Sequence, residues 1–162
     1  MIEKKNQPCY NKEGEFIGWL SPAIAVSTFV LLKNGEDTFV AATKRGKGCP
    51  NNIGKWNCQC GYLDFKESTL TAAKREVFEE IGIKLDTITD WKWIDEPDEN
   101  ENIVHRFYAV LKGTPNQYPL TAKFSEKEEV SDIAWINVKD INSFEWAFNH
   151  DSIIKELLSI CN

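Results

Sequence analysis

The sequence contains no long apolar run. No segment approaches the roughly 20 consecutive apolar residues that a membrane-spanning helix needs. The first 16 residues, MIEKKNQPCYNKEGEF, also lack the apolar core of a signal peptide. We therefore expect a protein that does not enter a membrane and that works in the cytoplasm.

Positive charge is also scarce. The chain has 19 lysine and arginine residues against 25 aspartate and glutamate residues, and its formal net charge is -6. Proteins that bind nucleic acid usually neutralise its phosphates with a basic surface. We therefore expect no nucleic-acid partner, although a small nucleotide is compatible with this balance if metal ions supply positive charge.

The cysteines argue against two classes of site. The chain has five of them, and an odd number without a signal peptide does not fit the disulfide framework of a secreted protein. Cys58 and Cys60 are separated by one residue, which is not the spacing of zinc ligands, and the two histidines lie far away in the sequence. We expect reduced and mostly buried thiols.

A chain of 162 residues is long enough for one domain with a sizeable core. Runs of β-branched and apolar residues predict strands at 24–32, 38–45, 91–94, 103–111 and 132–138. Turn-forming residues predict connections at 33–37, 46–54 and 96–102. Helices are predicted from Ser68 or Thr69 to Gly82 and over 150–161, with Asp151 as the N-cap of the second. This order predicts a single α/β domain with a mixed sheet between helices.

The first predicted helix separates apolar from acidic side chains. At about 100° per residue, one side carries four apolar residues, Leu70, Ala73, Val77 and Ile81. An adjacent side carries Glu76, Glu79 and Glu80, and like charges at this spacing cost a helix roughly 0.2–0.5 kcal/mol per pair. A hard cation that prefers oxygen ligands would offset this repulsion. On spacing alone, a solvated acidic face is the commoner meaning of such a cluster.

The residues around this helix form a longer pattern. Five residues separate Gly61 from Glu67, and seven separate Glu67 from an Arg-Glu pair. The fixed positions are Gly61, Glu67, Arg75, Glu76, Glu79, Glu80 and Gly82, with aliphatic residues at 77 and 83. Seven identities and two aliphatic sites match by chance in roughly one window per billion at average residue frequencies. The pattern resembles the signature of the Nudix hydrolase family, and every defining position is filled.

The resemblance implies a fold and a division of the chain. It covers most of residues 21–160, and the segment GKWNCQCG before the signature is similar to the family's usual approach to it. The implied architecture is the Nudix fold, an α/β/α sandwich with a central mixed β-sheet. We accordingly divide the chain into an unassigned N-terminal extension, 1–20, and a Nudix hydrolase domain, 21–162.

The resemblance also implies a metal site. Nudix hydrolases cleave nucleoside diphosphates linked to another group at the pyrophosphate, with a divalent metal, so Mg²⁺ or Mn²⁺ is the implied cofactor. Glu76 and Glu80, one helical turn apart, are the first candidates for metal ligands, and Glu79 is either a further ligand or orients the attacking water. The backbone carbonyl before the signature glycine belongs here to Cys60. The family commonly has glycine at that position, and cysteine accepts fewer backbone conformations.

Four further signature residues have implied supporting roles. Arg75 holds a carboxylate or a loop in place through charge-assisted hydrogen bonds. Glu67 supports the loop or binds a metal through water. Gly61 allows a tight turn, and Gly82 ends the helix.

The general base is less well determined, because it comes from different places within the family. It is either a signature glutamate, Glu76 or Glu79, or an acid on a later loop. The segment FSEKEEV offers Glu126, Glu128 and Glu129, of which we prefer Glu129. An ordinary solvated acidic loop is an equally good reading of that segment.

Substrate recognition is predicted only in outline. Basic residues beside the loop before the signature could contact phosphates, namely Lys44, Arg45, Lys47 and Lys55. Trp56, or an aromatic residue of the FIGW segment at 16–19, could stack on a base, although most tryptophans are core residues. We choose Arg45 and Trp56 as the candidates. His105 and Arg106 on a predicted strand are interpreted as structural.

These observations favour a metal-dependent pyrophosphohydrolase of a small nucleotide derivative. ADP-ribose, a nucleotide sugar, a dinucleotide and a nucleoside triphosphate all remain open as substrates, and a homodimer is a further hypothesis. The alternative is a non-catalytic Nudix-like nucleotide sensor, which predicts eroded glutamates where this sequence has intact ones. An isomerase of an isoprenoid diphosphate on the same fold is disfavoured, because only the generic hydrolase signature is recognisable.

Overall fold

A computed structural model of the chain describes residues 7–20, 22–94, 102–122 and 128–161. Its strands are β1 Gln7–Tyr10, β2 Phe16–Leu20, β3 Ala23–Asn34, β4 Asp37–Arg45, β5 Trp56–Asn57, β6 Gln59–Tyr62, β7 Thr89–Ile94, β8 Asn102–Lys112 and β9 Val130–Asn137. Its α-helices are α1 Thr69–Ile81 and α2 His150–Cys161, and short 3-10 helices cover Pro115–Gln117 and Val138–Ser143. Within these ranges, no helix has the length and apolar character needed to cross a bilayer.

The main sheet is mixed and is organised around β3. This strand runs parallel to β8 along one edge, and β7 adds an antiparallel strand beyond β8. On its other edge, the end of β3 forms an antiparallel hairpin with β4, and β9 pairs with the outer edge of β4. The first half of β3 diverges from β4, and the segment that contains β5 and β6 fills the gap by pairing with both strands. The chain therefore enters α1 directly from the middle of the sheet.

The two faces of the sheet have separate cores because side chains alternate along a strand. Phe29 and Leu31 of β3 pack with Ile154 and Leu157 of α2, on what we call the α2 face. Val30, between them, packs with residues of α1, on the α1 face. The predicted α/β/α sandwich with a central mixed β-sheet is confirmed.

The predicted elements are confirmed with small changes at their ends. All five predicted strands and both helices are present, and the predicted loop at 46–54 joins β4 to β5. The prediction did not include the β1–β2 hairpin, which lies inside the unassigned extension, or the short strands β5 and β6. Most of the predicted acidic turn at 96–102 lies outside the described residues.

Two details of the helices were predicted wrongly. Helix α2 begins at His150, so Asp151 lies in its first turn and is not the N-cap. Leu70 is 47% exposed, because Ala72 and Ala73 are the residues near the start of α1 that join the core. The apolar face of α1 is therefore narrower at its first turn than the spacing predicted.

Candidate metal and catalytic site

Both ends of α1 are fixed by local chemistry. The Ser68 hydroxyl accepts the backbone N–H of Thr71 at 3.2 Å, which caps the helix. Gly82 ends it in the left-handed region, with φ of 74°, and donates its N–H to Phe78 O at 2.9 Å. The helix therefore has a defined length and a defined rotation relative to the sheet, and its glutamates point in fixed directions.

Gly61 permits a close approach between β6 and α1. A Cβ atom at this position would collide with the carboxylate of Glu76, which packs directly against the glycine. Gly61 lies in β6 and is not among the glycines with positive φ. The sequence-based interpretation of Gly61 as a turn residue is therefore wrong, and space for the Glu76 carboxylate explains the glycine.

Arg75 connects three carboxylates of the signature to one another. Its Nε and Nη2 atoms donate to the two oxygens of Glu67 at 3.0 and 2.9 Å. Its Nη1 atom donates to Glu76 at 2.7 Å and to Glu79 at 3.0 Å. Nη2 also donates to the carbonyl of Tyr62 at 2.9 Å, which attaches α1 to the end of β6. The hydrogen bonds from Arg75 lower the pKa of Glu67.

The contacts of Glu80 are with β4 and β6. Its carboxylate is 3.5 Å from the Thr43 hydroxyl and accepts the backbone N–H of Cys60. Burial raises the pKa of Glu80 well above its usual value, and the charge of Glu76 raises it further, while the Cys60 N–H opposes both effects. Burial likewise raises the pKa of Glu76, against the opposing charge of Arg75.

Three residues from other segments come within electrostatic reach of this pair. The charge of Glu129 raises the pKa of both Glu76 and Glu80, whereas the charge of Arg45 lowers that of Glu80. Burial raises the pKa of the Cys60 thiol to about 12, with a further contribution from Glu80. The fold thus collects Glu76, Glu80, Cys60, Arg45 and Glu129 around one place, although they come from four segments of the chain. Glu126 lies outside the described residues.

The donor set suits a hard divalent cation. The oxygens of Glu76 and Glu80 are largely buried, and each carboxylate raises the pKa of other acids near it, so a bound cation would relieve both burial and repulsion. Within the described ranges, no group of three or more His, Cys, Asp or Glu side chains already converges in a metal-holding arrangement. Arg75 engages Glu76 and Glu79 instead. To serve as a further ligand, Glu79 would therefore have to exchange Arg75 for the cation.

The two candidate substrate residues are placed differently. The guanidinium of Arg45 bonds to Asn51 O at 3.0 Å and to Asn51 Oδ1 at 3.2 Å, and it lies 4.9 Å from the ring centre of Phe148. Trp56 is only 8% exposed and packs edge-on against Phe144 within the core. Trp56 therefore has no open face for a base, and we remove it from the candidate site.

The two histidines have structural partners. His105 is within 2.9 Å of the Thr69 hydroxyl and 2.8 Å of Asp90, and it stacks on Trp93. His150 accepts the backbone N–H of Cys58 at 2.9 Å through Nδ1. Burial lowers the pKa of His150 to about 3, and nearby arginines lower it further, so the ring is neutral.

Two polar residues on the α2 face were not predicted as functional. Ser27 lies beside Cys60 on one side and beside Arg106 on the other, in neighbouring strands. Ser27 Oγ and Arg106 Nε are buried and have no hydrogen-bond partner among the described residues. Burial lowers the pKa of Arg106, against the opposing charge of Glu156. A serine inside the apolar run IAVSTFVLL was the available signal, but the register that pairs it with Arg106 is not visible in the sequence.

Comparisons with known proteins agree with this geometry. Residues 21–157 match the family described as NUDIX domain. No curated protein sequence matches the chain. The structure is similar to the NUDIX domain of Shewanella oneidensis NrtR complexed with ADP ribose, at 15% identity and a TM-score of 0.75, covering 94% of each chain.

Two further solved structures share the fold at comparable distance. A mutT/nudix family protein from Listeria innocua is 20% identical with a TM-score of 0.65, covering 88% of this chain and 95% of its own. The C. elegans Ap4A hydrolase is 16% identical with a TM-score of 0.63, covering 87% of this chain and 99% of its own. At these identities, the likeness establishes the fold.

Proposed function

This chain belongs to the NUDIX domain family, and on that premise we propose that it hydrolyses the pyrophosphate linkage of a nucleoside diphosphate derivative. One observation carries the proposal. The largely buried carboxylates of Glu76 and Glu80 lie one helical turn apart on α1, within electrostatic reach of a third carboxylate, Glu129, from a distant part of the chain. Such an arrangement is unfavourable for folding, and it is what a cation-assisted hydrolysis of a polyanion requires.

Glu76 and Glu80 would hold the Mg²⁺ or Mn²⁺ ion, with Glu79 and the carbonyl of Cys60 as further ligands. A bound divalent cation would neutralise the charge of the pyrophosphate and lower the pKa of water. The Cys60 N–H already holds one Glu80 oxygen in place. Arg75 holds the carboxylates of Glu76 and Glu79 together and ties α1 to the end of β6 through the carbonyl of Tyr62.

Glu129 is our preferred general base. Glu129 belongs to a segment separate from α1, so it would accept a proton from the attacking water while Glu76 and Glu80 bind the metal. Its charge still interacts with Glu76 and Glu80. Glu76 and Glu79 are less suited to this role because each already accepts a hydrogen bond from Arg75. A carboxylate must lie within about 2.6–3.2 Å of the proton-bearing atom to act as base.

The substrate's two ends would meet different residues. Arg45, whose charge reaches Glu80, would contact a phosphate. Arg106 and Ser27 offer unpartnered buried donors on the α2 face, two and one strands away from Cys60, and they suit an acceptor group on the rest of the molecule. ADP-ribose, nucleotide sugars, dinucleotides and nucleoside triphosphates are all candidates, and a homodimer is a separate proposal that gel filtration would test.

A substrate panel tests the proposed function. The wild-type chain would be incubated with members of these four classes and either Mg²⁺ or Mn²⁺, and the products would be separated by chromatography. We expect at least one member to be cleaved at its pyrophosphate only when the metal is present. Glu156→Gln on α2 is a matched control for Glu80→Gln, because Glu156 is an exposed carboxylate paired with Lys92.

The outcomes separate the two functional hypotheses. Cleavage that survives chelation of the metal, or full activity in Glu80→Gln, would contradict the assigned site. Binding of a nucleotide without cleavage of any panel member would favour the non-catalytic sensor.

A further inference from the structure

The loop at residues 46–54 contacts the turn that carries Glu129. The N–H of Gly46 donates to Glu129 O at 2.7 Å, and the N–H of Gly48 donates to Glu128 O at 2.9 Å. The thiol of Cys49 adds a third contact, to Glu129 O at 3.3 Å. Three donors within residues 46–49 thus bind the carbonyls of Glu128 and Glu129. These carbonyls belong to the peptide bonds that precede and follow Glu129.

The backbone of this turn adopts an unusual conformation. Glu128 has φ of 68°, in the left-handed region that non-glycine residues rarely occupy. Such a conformation persists when surrounding contacts hold it, and it is frequent next to functional groups. The loop approaches so closely that a Cβ atom on Gly46 would collide with the carbonyl oxygen of Glu128. The direction of the chain at Glu129 is therefore set by the loop as well as by β9.

The loop itself is well anchored. Arg45, at the end of β4, bonds through its guanidinium to Asn51 within the loop. Its backbone N–H donates to Lys55 O at 2.9 Å, and its carbonyl accepts the N–H of Gly54 at 2.8 Å, which closes the loop at its base. From the other side, the hydroxyl of Ser131 donates to Lys44 O at 3.1 Å. The loop is thus tied to β4 and to the segment 128–131 together.

We propose that the loop at 46–54 is a positioning element that fixes the backbone at Glu129, an inference that rests on the proposed hydrolase function with Glu129 as its base. Gly46 is the most important residue of this loop, because its N–H donates to Glu129 O and its lack of a side chain leaves room for Glu128 O. The same loop orients Arg45, so one element aligns the base and the residue that would contact phosphate. Gly46 and Cys49 act through Glu129 and are positioning residues.

The effect belongs to the chemical step. A misplacement of about 1 Å in a reacting group can lower a rate by about 10²-fold, although the residue that causes it touches neither substrate nor metal. We therefore expect Gly46→Ala to lower kcat by about 10- to 100-fold. KM for the nucleotide and the Mg²⁺ concentration for half-maximal rate should stay within about threefold of wild type, since the metal ligands on α1 are untouched.

The experiment measures kcat, KM and the Mg²⁺ dependence with the best substrate of the panel. Gly35→Ala is the control: Gly35 has φ of 60° in the β3–β4 turn and no atom near its would-be Cβ, so alanine there strains the backbone without a collision and away from the site. Cys49→Ala removes the third donor and Cys49→Ser retains one, so Cys49→Ser should stay closer to wild-type kcat than Cys49→Ala. Thermal unfolding of each variant reports whether it folds. If Gly46→Ala does not fold, the comparison of kcat between Cys49→Ala and Cys49→Ser tests the positioning role.

Each outcome bears on one hypothesis. A Gly46→Ala variant with wild-type kcat, or with a raised KM and unchanged kcat, overturns the positioning role while the hydrolase assignment stands. Wild-type activity in Glu129→Gln does the same, because the loop would then position a residue without a catalytic role. An inactive wild-type chain contradicts the proposed function itself and the inference with it.

Discussion

The helices α1 and α2 cover opposite faces of one sheet, and each buries a titratable side chain against it. On α2, His150 is neutral, with its pKa lowered to about 3 by burial, and its Nδ1 accepts the N–H of Cys58. On α1, Glu80 also has the neutral form favoured by burial, but the charge of Glu76 adds to that effect. The first group is satisfied by one hydrogen bond, whereas the second has two carboxylates near it, Glu76 and Glu129, whose effect the Cys60 N–H and the charge of Arg45 oppose.

The contrast between His150 and Glu80 indicates different roles for the two residues. The neutral form of His150 completes a hydrogen bond between α2 and the segment next to β5, so it stabilises the fold and needs no other partner. The carboxylates near Glu80 oppose one another, and only a proton or a cation relieves them. Departures from favourable folding energetics concentrate at functional sites. By this criterion, helix α1 carries the candidate metal site, whereas His150 of helix α2 has a structural role.

Among the changes that test this difference between Glu80 and His150, replacement of Glu80 should have the largest effect. We expect Glu80→Gln to reduce metal-dependent hydrolysis on the order of 10²-fold or more, because it removes a metal ligand. The metal-free variant should be as stable as wild type or more stable at neutral pH, because the amide keeps an acceptor for Cys60 without the buried charge. Turnover assays and urea unfolding measure the two effects. Equal losses of activity and stability would show that Glu80 is structural, like His150.

Addition of metal is the next largest perturbation. Mg²⁺ at about 100 times its Kd should raise the free energy of unfolding of the wild-type chain by about 2.7 kcal/mol, since the cation binds the folded state. The rise should be much smaller in Glu80→Gln and unchanged in Glu156→Gln. Thermal unfolding with increasing Mg²⁺ gives this comparison directly. An equal rise in all three proteins would place the cation away from α1.

Removal of the His150 acceptor tests the α2 side. His150→Phe leaves the buried N–H of Cys58 without an acceptor, so we expect a loss of about 1–3 kcal/mol in the free energy of unfolding. His150→Asn retains an acceptor near Nδ1 and should lose less. In both variants kcat should stay near wild type for the folded fraction. A fall in kcat beyond the loss of folded protein would assign His150 to the catalytic site.

The pH dependence of stability separates the two buried groups by sign. The folded-state pKa of His150, about 3, is below its ordinary value of 6.5, so its contribution is present above pH 6.5 and is lost as the pH falls toward 3. The slope is at most about 1.4 kcal/mol per pH unit. His150→Asn should flatten this slope between pH 6.5 and 5. A wild-type slope in that variant would show that other groups are responsible.

The contribution of Glu80 to stability changes with pH in the opposite direction to that of His150. The pKa of Glu80 is raised in the folded state, so its contribution to stability is present below its ordinary value of 4.5 and is lost as the pH rises through the raised pKa. Metal-free Glu80→Gln should lack that loss, which unfolding by urea at several pH values would measure. Identical pH profiles in the metal-free wild type and Glu80→Gln would contradict the raised pKa.

Local features of the site were predictable from sequence. The helical repeat places Glu76 and Glu80 one turn apart whatever the helix packs against, and Ser68 and Gly82 define its ends by their own hydrogen bonds. The interpretation of Gly61 failed at the next level. Position 61 requires glycine because the Glu76 side chain, 15 residues later in the sequence, packs against it. The spacing of residues in a motif does not reveal such a contact.

Local sequence is sufficient to predict that α1 exists, where it begins and ends, and that it presents Glu76 and Glu80 together, because helix periodicity and caps depend on neighbouring residues. Tertiary packing, by contrast, makes Trp56 a core residue, puts Ser27 between Cys60 and Arg106, and bonds His150 to Cys58. Packing also brings Glu129 within electrostatic reach of Glu76 and Glu80. These contacts depend on strand register and on which elements pack together, and both arise from the cooperative burial of apolar surface over the whole chain.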